Sequence, residues 1–459
     1  MDTHELRAAF ARSLSAMYGA EVPAYATLVE VSTAVNRDHL AAHPETAERL
    51  GTLDRVTAER HGAIRVGTAE ELRRVAQIFA AFGMEPVGFY DLRGEESTSL
   101  PIVSTAFRPV TADALARNPF RVFTSVLVTD DRRYFDENLT AELDAFLSRR
   151  TLFPDAVVAL AERAEAAGGL PDDLADRFLA AATACFALSD EPVHRGWYER
   201  LAAISGVAAD IGGVRHTHLN HLTPRVLDID ELYRRMTGRG IAMIDEIQGP
   251  PAWAGPDVLL RQTSFRALPE RRRFREPDGS IVEGTLSVRF GEVEQRGIAL
   301  TPAGRDRYDR ALAEVDREAA GLDASGRDAV KKAVWARTWP TDEDGLDAAG
   351  LAWFTYAASP ARPAGTPPAA LGDLVRGGWL TRSPIVYEDF LPRSAAGIFR
   401  SNLDHDGTRD ASRAGSPRDE AWMAHATGRT VHDPMALYAA QRRASLDAAA
   451  SELGLTIGA

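Results

Sequence analysis

The chain has 459 residues, 45% apolar and 26% charged, with a formal net charge of −13. That length suggests two or three domains or one elaborated core, and the composition excludes wholesale disorder, collagen-like sequence and a low-complexity scaffold. The acidic balance argues against nucleic acid and anionic lipid as default partners, and the lone Cys185 excludes an internal disulfide framework, a cysteine-rich zinc site and a self-contained iron–sulfur cluster.

In chain order, residues 4–30 read as one amphipathic helix, with Leu6, Phe10, Leu14 and Tyr18 near a helical period. A second periodic run follows from Pro44 to Arg60. At His61 the pattern changes: HGAIRVG reads as a short strand. Thr68 and Glu71 then have the spacing of a capping box for a helix that Gly83 can end. EPVGFYDL, LPIVSTAFRPV and FRVFTSVLV follow as strands. Residues 138–207 are alanine-rich and read as helices. Cys185 sits there in an apolar run and reads as a packing residue.

Gly212 and Gly213 break the chain, and a second strand begins around HTHLNHLTPRV. Asp230 is the expected cap of the following helix, IAMIDEIQGP returns as a strand, and VLLRQTSFRAL and IVEGTLSVRFGEVEQRG supply more. The order strand–helix–strand–strand–strand thus occurs twice, each time opened by a histidine-bearing strand, which suggests a topological repeat. Beyond about residue 303 helices and coil alternate. PARPAGTPPAALGDLVRGG reads as a turn-rich connection, and Leu437, Tyr438, Leu446 and Leu453 as core positions of the last helices.

No apolar run is long enough to span a bilayer, and the opening MDTHELRAAFARSL lacks the apolar core of a secretory signal. A cytoplasmic enzyme or binding protein is the expectation.

His216, His218 and His221 fall within six residues. On a regular strand His216 and His218 share a face and His221 points the other way unless a bulge intervenes. If the two repeats pair across a pseudo-twofold, their first strands lie side by side and His61 and His221 converge. Glu292, on the last strand of the second repeat, offers a third ligand, and Glu294 shares its face, so spacing does not separate the two. Two histidines and a carboxylate form the facial set that suits non-haem iron(II), with positions left open for a bidentate organic acid and dioxygen. Arg65 suits a two-toothed carboxylate contact. Arg261, Arg266 and Arg289 are further candidates for a distal carboxylate, with ion pairs as their plain alternative, and Gln262, Thr263 and Ser264 can add neutral contacts.

The strings RHGAIRVGT (60–68), HTHLNHLTPRVLDID (216–230), FGEVEQRGIALT (290–301) and YEDFLPRSAAGIFRSNL (387–403) resemble the 2-oxoadipate dioxygenase/decarboxylase family, a branch of the vicinal oxygen chelate superfamily, over roughly residues 5–450. The resemblance implies an α+β fold: paired vicinal-oxygen-chelate-like, β-rich modules forming a metal-centred, partly closed barrel, with extensive helical additions. The matching division is an N-terminal helical region (1–55), a first module (56–135), a helical insertion (136–212), a second, metal-binding module (213–302) and a helical, pocket-closing region (303–459). It implies Fe(II) held by His61, His221 and Glu292, with His216 and Glu294 as the alternatives. His221 is preferred because domains of this superfamily place the ligand seven residues before an aspartate such as Asp228.

The implied reaction is oxygen-dependent decarboxylation and hydroxylation of 2-oxoadipate to (R)-2-hydroxyglutarate and carbon dioxide in lysine catabolism. His61, Arg65, His221 and Arg393 are then the expected substrate contacts. Arg393 stands where the family pattern has valine, a departure that a backbone contact survives. The partners are 2-oxoadipate and dioxygen, with no nucleic acid and no membrane. A non-redox isomerase or lyase on the same scaffold, and a dicarboxylate sensor without turnover, are the competing readings.

Overall fold

The structure, a computed structural model, describes residues 1–44, 53–94, 100–392, 398, 402, 410 and 412–455. Arg393 and the 45–52 part of the second periodic run lie outside the described residues.

The fold is mixed α+β. The expected single N-terminal helix is two, Thr3–Glu21 and Pro23–Ala42. Pro23 has no amide N–H to donate to a preceding turn and fixes a helical φ, so a new helix opens there and the break falls at Val22. The first helix starts with a capping box between Asp2 and Glu5. The described end of the second periodic run is a short helix, Leu53–Thr57.

Strand β1 (Glu59–Val66) leads into the helix Ala69–Ala80, capped as expected by Thr68 and Glu71. Gly83 follows it with φ of +64°. Strands β2 (Glu85–Asp91), β3 (Ile102–Arg108) and β4 (Arg121–Leu127) come next, and β3 and β4 are buried at every position. The insertion contains helices Glu137–Leu147, Asp155–Ala167, Asp172–Ala184, Arg195–Ala202 and Gly206–Gly212, with a two-residue strand β5 (Val193–His194). Cys185 closes the third of these, half-buried, and burial raises its thiol pKa to about 11, as expected of a packing residue.

The second strand set is less regular than its sequence suggests. Only His221–Pro224 of HTHLNHLTPRV forms a strand, β6. The helix Ile229–Gly238 is capped by Asp228, not Asp230: the Asp228 carboxylate accepts from Glu231 N at 2.9 Å. IAMIDEIQGP forms no strand and touches its neighbours at two isolated bridges, Met243 with Phe265 and Gln248 with Gln262. Asp245 between them turns outward to Arg266 at 2.8 Å, which breaks the alternation a strand needs. Strands β7 (Leu260–Ser264), β8 (Glu270–Arg275), β9 (Ile281–Leu286) and β10 (Glu292–Arg296) complete the set.

Strand β6 joins the first set, giving a five-stranded sheet in the order β2-β3-β4-β1-β6. β10 pairs with β7, and β8 lies between β5 and β9. No closed barrel forms among the described residues. The five-stranded sheet meets β10 through one bridge, Arg225 with Glu294, too little pairing to close the sheets on each other.

The chain divides into two compact units. One comprises residues 1–248, 262–294 and 390–432 and has an aromatic core in which Phe10 stacks on Phe82 at 4.3 Å. The other comprises residues 249–261, 295–389 and 433–459. It holds the helices Pro302–Glu318 and Ala324–Thr338, the hairpin of β11 (Phe354–Ala358) with β12 (Leu380–Pro384), and the final helix Pro434–Leu453. Trp335 is its largest fully buried side chain among the described residues, and Tyr438 and Leu446 are buried while Leu437 and Leu453 are half-buried. Among the described residues no helix is long and apolar enough to cross a membrane.

Candidate metal centre

β1 and β6 run antiparallel, so the first strands of the two sets do lie side by side. His61 is opposite Thr223, and Ala63 is opposite His221. Residues two apart share a face, so the two histidines are diagonal neighbours on one face of the sheet. Their rings meet edge to face with centroids 5.5 Å apart. A register shift between Glu59 and His61 precedes the first of them. Three further contacts hold the frame. The Tyr18 hydroxyl lies 2.9 Å from the Asn220 carbonyl and 2.7 Å from that of Phe290, next to the two site strands. Asn36 donates to Arg225 O at 2.9 Å and accepts from Leu227 N at 2.8 Å. Val226 N donates to Glu294 O at 2.8 Å, which brings β10 alongside.

Glu292 opens β10 directly after Gly291. A Cβ on Gly291 would stand 2.4 Å from the Phe265 ring, so this close approach admits only glycine. His61, His221 and Glu292 each then present one ligand atom, all within 4.8 Å of one another, and all three residues are buried. His61 Nε2 is 3.3 Å and His221 Nε2 3.5 Å from the Glu292 carboxylate. These separations are long for hydrogen bonds, but close to the ~3 Å expected between adjacent ligands at ~2.0–2.2 Å from one ion.

The other imidazole nitrogen of His61 is held as well. Glu294 Oε2 accepts from Nδ1 at 2.8 Å, and Arg60 Nε lies 3.4 Å from the other Glu294 oxygen. With Nδ1 committed, Nε2 faces Glu292, with Thr223 Oγ1 3.0 Å away. The two glutamates that strand periodicity leaves equivalent thus occupy different sides of one histidine ring. Gln262 on β7 approaches Glu292 at 3.4 Å. Phe390, from the YEDFLP segment, packs edge-on against His61 at 4.9 Å, and Phe290 covers His221 at 5.2 Å.

Electrostatics follow from burial. Burial opposes charge on His61, but Glu294 and Glu292 outweigh it and raise its pKa above the ordinary 6.5. His221 is pushed well below 6.5, first by burial and then by the charges of His61 and Arg65, so it keeps a free lone pair. Burial raises the pKa of Glu292 against the pull of His61. A neutral imidazole, a second imidazole with an oriented tautomer and a buried carboxylate that lacks a full counter-charge form a donor set that fits a divalent ion.

The remaining candidates go elsewhere. Arg65 is buried and ion-paired with Asp210. Asp210 in turn lies 3.3 Å from His218 Nε2 and accepts from Asn220 Nδ2 at 2.9 Å, and His218 and Arg65 hold its carboxyl below the ordinary range despite burial. His216, the alternative to His221, is a half-exposed residue near Glu191, so the three clustered histidines serve three separate places. Arg266 pairs with Asp245, Arg289 with Glu270 and Glu21, and Arg261 donates to the Pro250 carbonyl. Ser264 accepts from Asn402. Asp210 and Thr223 were not singled out by sequence. An acid inside the apolar run GVAADIGG was the available signal for the first.

The fold and site together define an α+β protein with a buried group of two histidines and one carboxylate able to hold a metal ion. The family model for 2-oxoadipate dioxygenase/decarboxylase matches residues 10–402. A 2-oxoadipate dioxygenase/decarboxylase of Mycobacterium tuberculosis is 56% identical over 443 residues, covering 95% of this chain and 96% of the relative. One from Pseudomonas putida is 41% identical, covering 98% and 97%. The crystal structure of the Pseudomonas putida hydroxyglutarate synthase in complex with 2-oxoadipate matches with a TM-score of 0.85 at 38% identity, over 99% of both chains. The chain belongs to the 2-oxoadipate dioxygenase/decarboxylase family.

Proposed function

We propose that this chain converts 2-oxoadipate and dioxygen to (R)-2-hydroxyglutarate and carbon dioxide, with iron(II) held by His61, His221 and Glu292. The observation that carries the reading is the convergence of these three buried side chains in a chain of this family. One 2-oxoadipate and one dioxygen contain the atoms of one 2-hydroxyglutarate and one carbon dioxide, so the reaction needs no separate reductant. When bound, iron(II) supplies the redox chemistry and a chelation point for the 2-oxoacid.

The chain's own residues do the rest. Glu294 orients His61 through Nδ1, and His221 stays neutral. Phe290 and Phe390 keep water from the two rings. Arg65 sits four residues after His61 and acts on the nearby Glu292 and His221 through its charge. It is the residue to receive the substrate's carboxylate, exchanging part of its contact with Asp210 for it. The proposal keeps Arg393 as a further substrate contact.

The same proposal treats the two strand sets as paired vicinal-oxygen-chelate-like modules, supported by the β1–β6 pairing of their first strands. It keeps the division into 1–55, 56–135, 136–212, 213–302 and 303–459, and assigns a cytoplasmic role in lysine catabolism. The test is oxygen uptake by the iron-loaded protein with 2-oxoadipate, with one carbon dioxide and one 2-hydroxyglutarate formed per dioxygen. Turnover without oxygen uptake would replace the reading with isomerase or lyase chemistry, and tight binding without turnover with a sensor.

A further inference from the structure

A cavity of about 280 Å³ opens beside the metal centre, and none of His61, His221 or Glu292 lines it. Its wall includes Asp210 and His218, and Asp210 pairs with Arg65, whose charge acts on His221 and Glu292, so Asp210 and Arg65 link the cavity to the centre. Four arginines line it against two carboxylates, in a chain whose net charge is −13. Apolar Phe146, Val288 and Leu286 complete a lining of the kind that surrounds the carbon chain of a small organic acid.

Arg272 is the informative member. The alternation along β8 turns it inward with Phe274 while Arg271 and Arg273 face out. It is 8% exposed, and its Nη2 has no hydrogen-bond acceptor among the described residues. Its Nη1 donates to the Arg271 carbonyl at 3.1 Å. Its nearest carboxylate, Glu270, is 3.5 Å away and already taken: Arg289 Nε reaches both Glu270 oxygens, at 3.0 and 2.9 Å. A buried guanidinium with only a borrowed counter-ion is costly unless an anion completes it. Burial lowers the pKa of Arg272, the sign of that cost.

We propose that this cavity is an antechamber for dicarboxylates, in which Arg272 takes one carboxylate of the incoming substrate before the other reaches Arg65 and the metal centre. The assignment of the substrate as a 2-oxo diacid rests on the function proposed above. The antechamber itself is read without turnover.

The experiment uses the full chain, metal-free, with glutarate as an unreactive probe in titration calorimetry, and then the iron-loaded protein with 2-oxoadipate. Arg272→Gln should weaken glutarate binding and raise KM by about ten- to a hundredfold, the worth of a charged hydrogen-bonding group. kcat and iron affinity should hold, and Arg272→Lys should recover part of the loss. Because a buried arginine also supports the fold, His216→Glu on the exposed rim provides an independent arm. It adds a negative charge to the entrance and should raise KM with an unchanged melting temperature. Glutarate binding and KM that are unchanged in both Arg272→Gln and His216→Glu would overturn the antechamber. If wild-type protein binds glutarate through Arg272 but does not turn over 2-oxoadipate, the substrate assignment fails and the antechamber stands.

Discussion

The two strand sets look alike in sequence order and are built differently. In the first, β3 and β4 are buried along their whole length and sit in one continuous sheet. In the second, the strands are spread over three sheets, and β9 leaves Ile281 and Val282 exposed. Yet the second set carries most of the polar groups of the site: His221, Thr223, Gln262, Glu292 and Glu294, against His61 and Arg65 from the first. The first set is a scaffold that happens to present one histidine. The second gives up regular pairing to aim several polar side chains at one point.

Removing one characteristic group from each strand set should give opposite results. His221→Ala should cost more than about 100-fold in iron affinity, beyond the ~10–100-fold of a residue that only orients a ligand, and should abolish turnover. A metal titration showing unchanged affinity would remove the second set from the site. Phe107→Ala in β3, whose ring is fully buried and packs on Phe79 at 5.2 Å, should cost about 3–5 kcal/mol of stability. Denaturant melts check the loss, and the fraction still folded should bind iron normally.

Within β10 the comparison narrows to two glutamates. Glu292→Gln should remove iron binding, whereas Glu294→Gln should weaken it by about 10–100-fold and leave measurable turnover. Equal effects in parallel titrations would mean that the His61 ring does not separate their roles.

The smallest effect concerns Asp210. Its carboxyl is held below the ordinary 3.8 in the folded chain by His218 and Arg65. The unfolded state therefore takes up the proton first as pH falls, and the stability this group contributes, complete at neutral pH, is lost progressively below about pH 5. Acid-unfolding curves of wild type and Asp210→Asn should converge over that range. Curves that stay parallel would show that Asp210 carries no such linkage.

These differences also explain what the sequence could show. The strands of the first set were legible because alternation and apolar runs are local properties, and so was the Thr68 cap. The convergence of His61 and His221 was legible because each lies near the start of the first strand of its set and those two strands pair. The helix break at Pro23 and the cap at Asp228 depended on single residues that a periodic reading passes over. Glu292 and Glu294 were not separable, since a period of two puts both on one face. What distinguishes them is which nitrogen of His61 each one meets. The destinations of His216 and His218 depended on Glu191 and Asp210, partners brought in by the helical insertion. IAMIDEIQGP had the composition of a strand, but it meets its neighbour β7 and Phe265 only at two isolated bridges, with Asp245 turned out to Arg266 between them.

Anomalous diffraction at the iron edge, on crystals grown without oxygen in the presence of iron(II) and 2-oxoadipate, tests the arrangement of His61, His221 and Glu292. The predicted result is a single iron bonded to His61 Nε2, His221 Nε2 and Glu292, with Glu294 on the far side of the His61 ring and the 2-oxoacid on the open positions. Iron bound elsewhere, or held by Glu294 in place of Glu292, would contradict it.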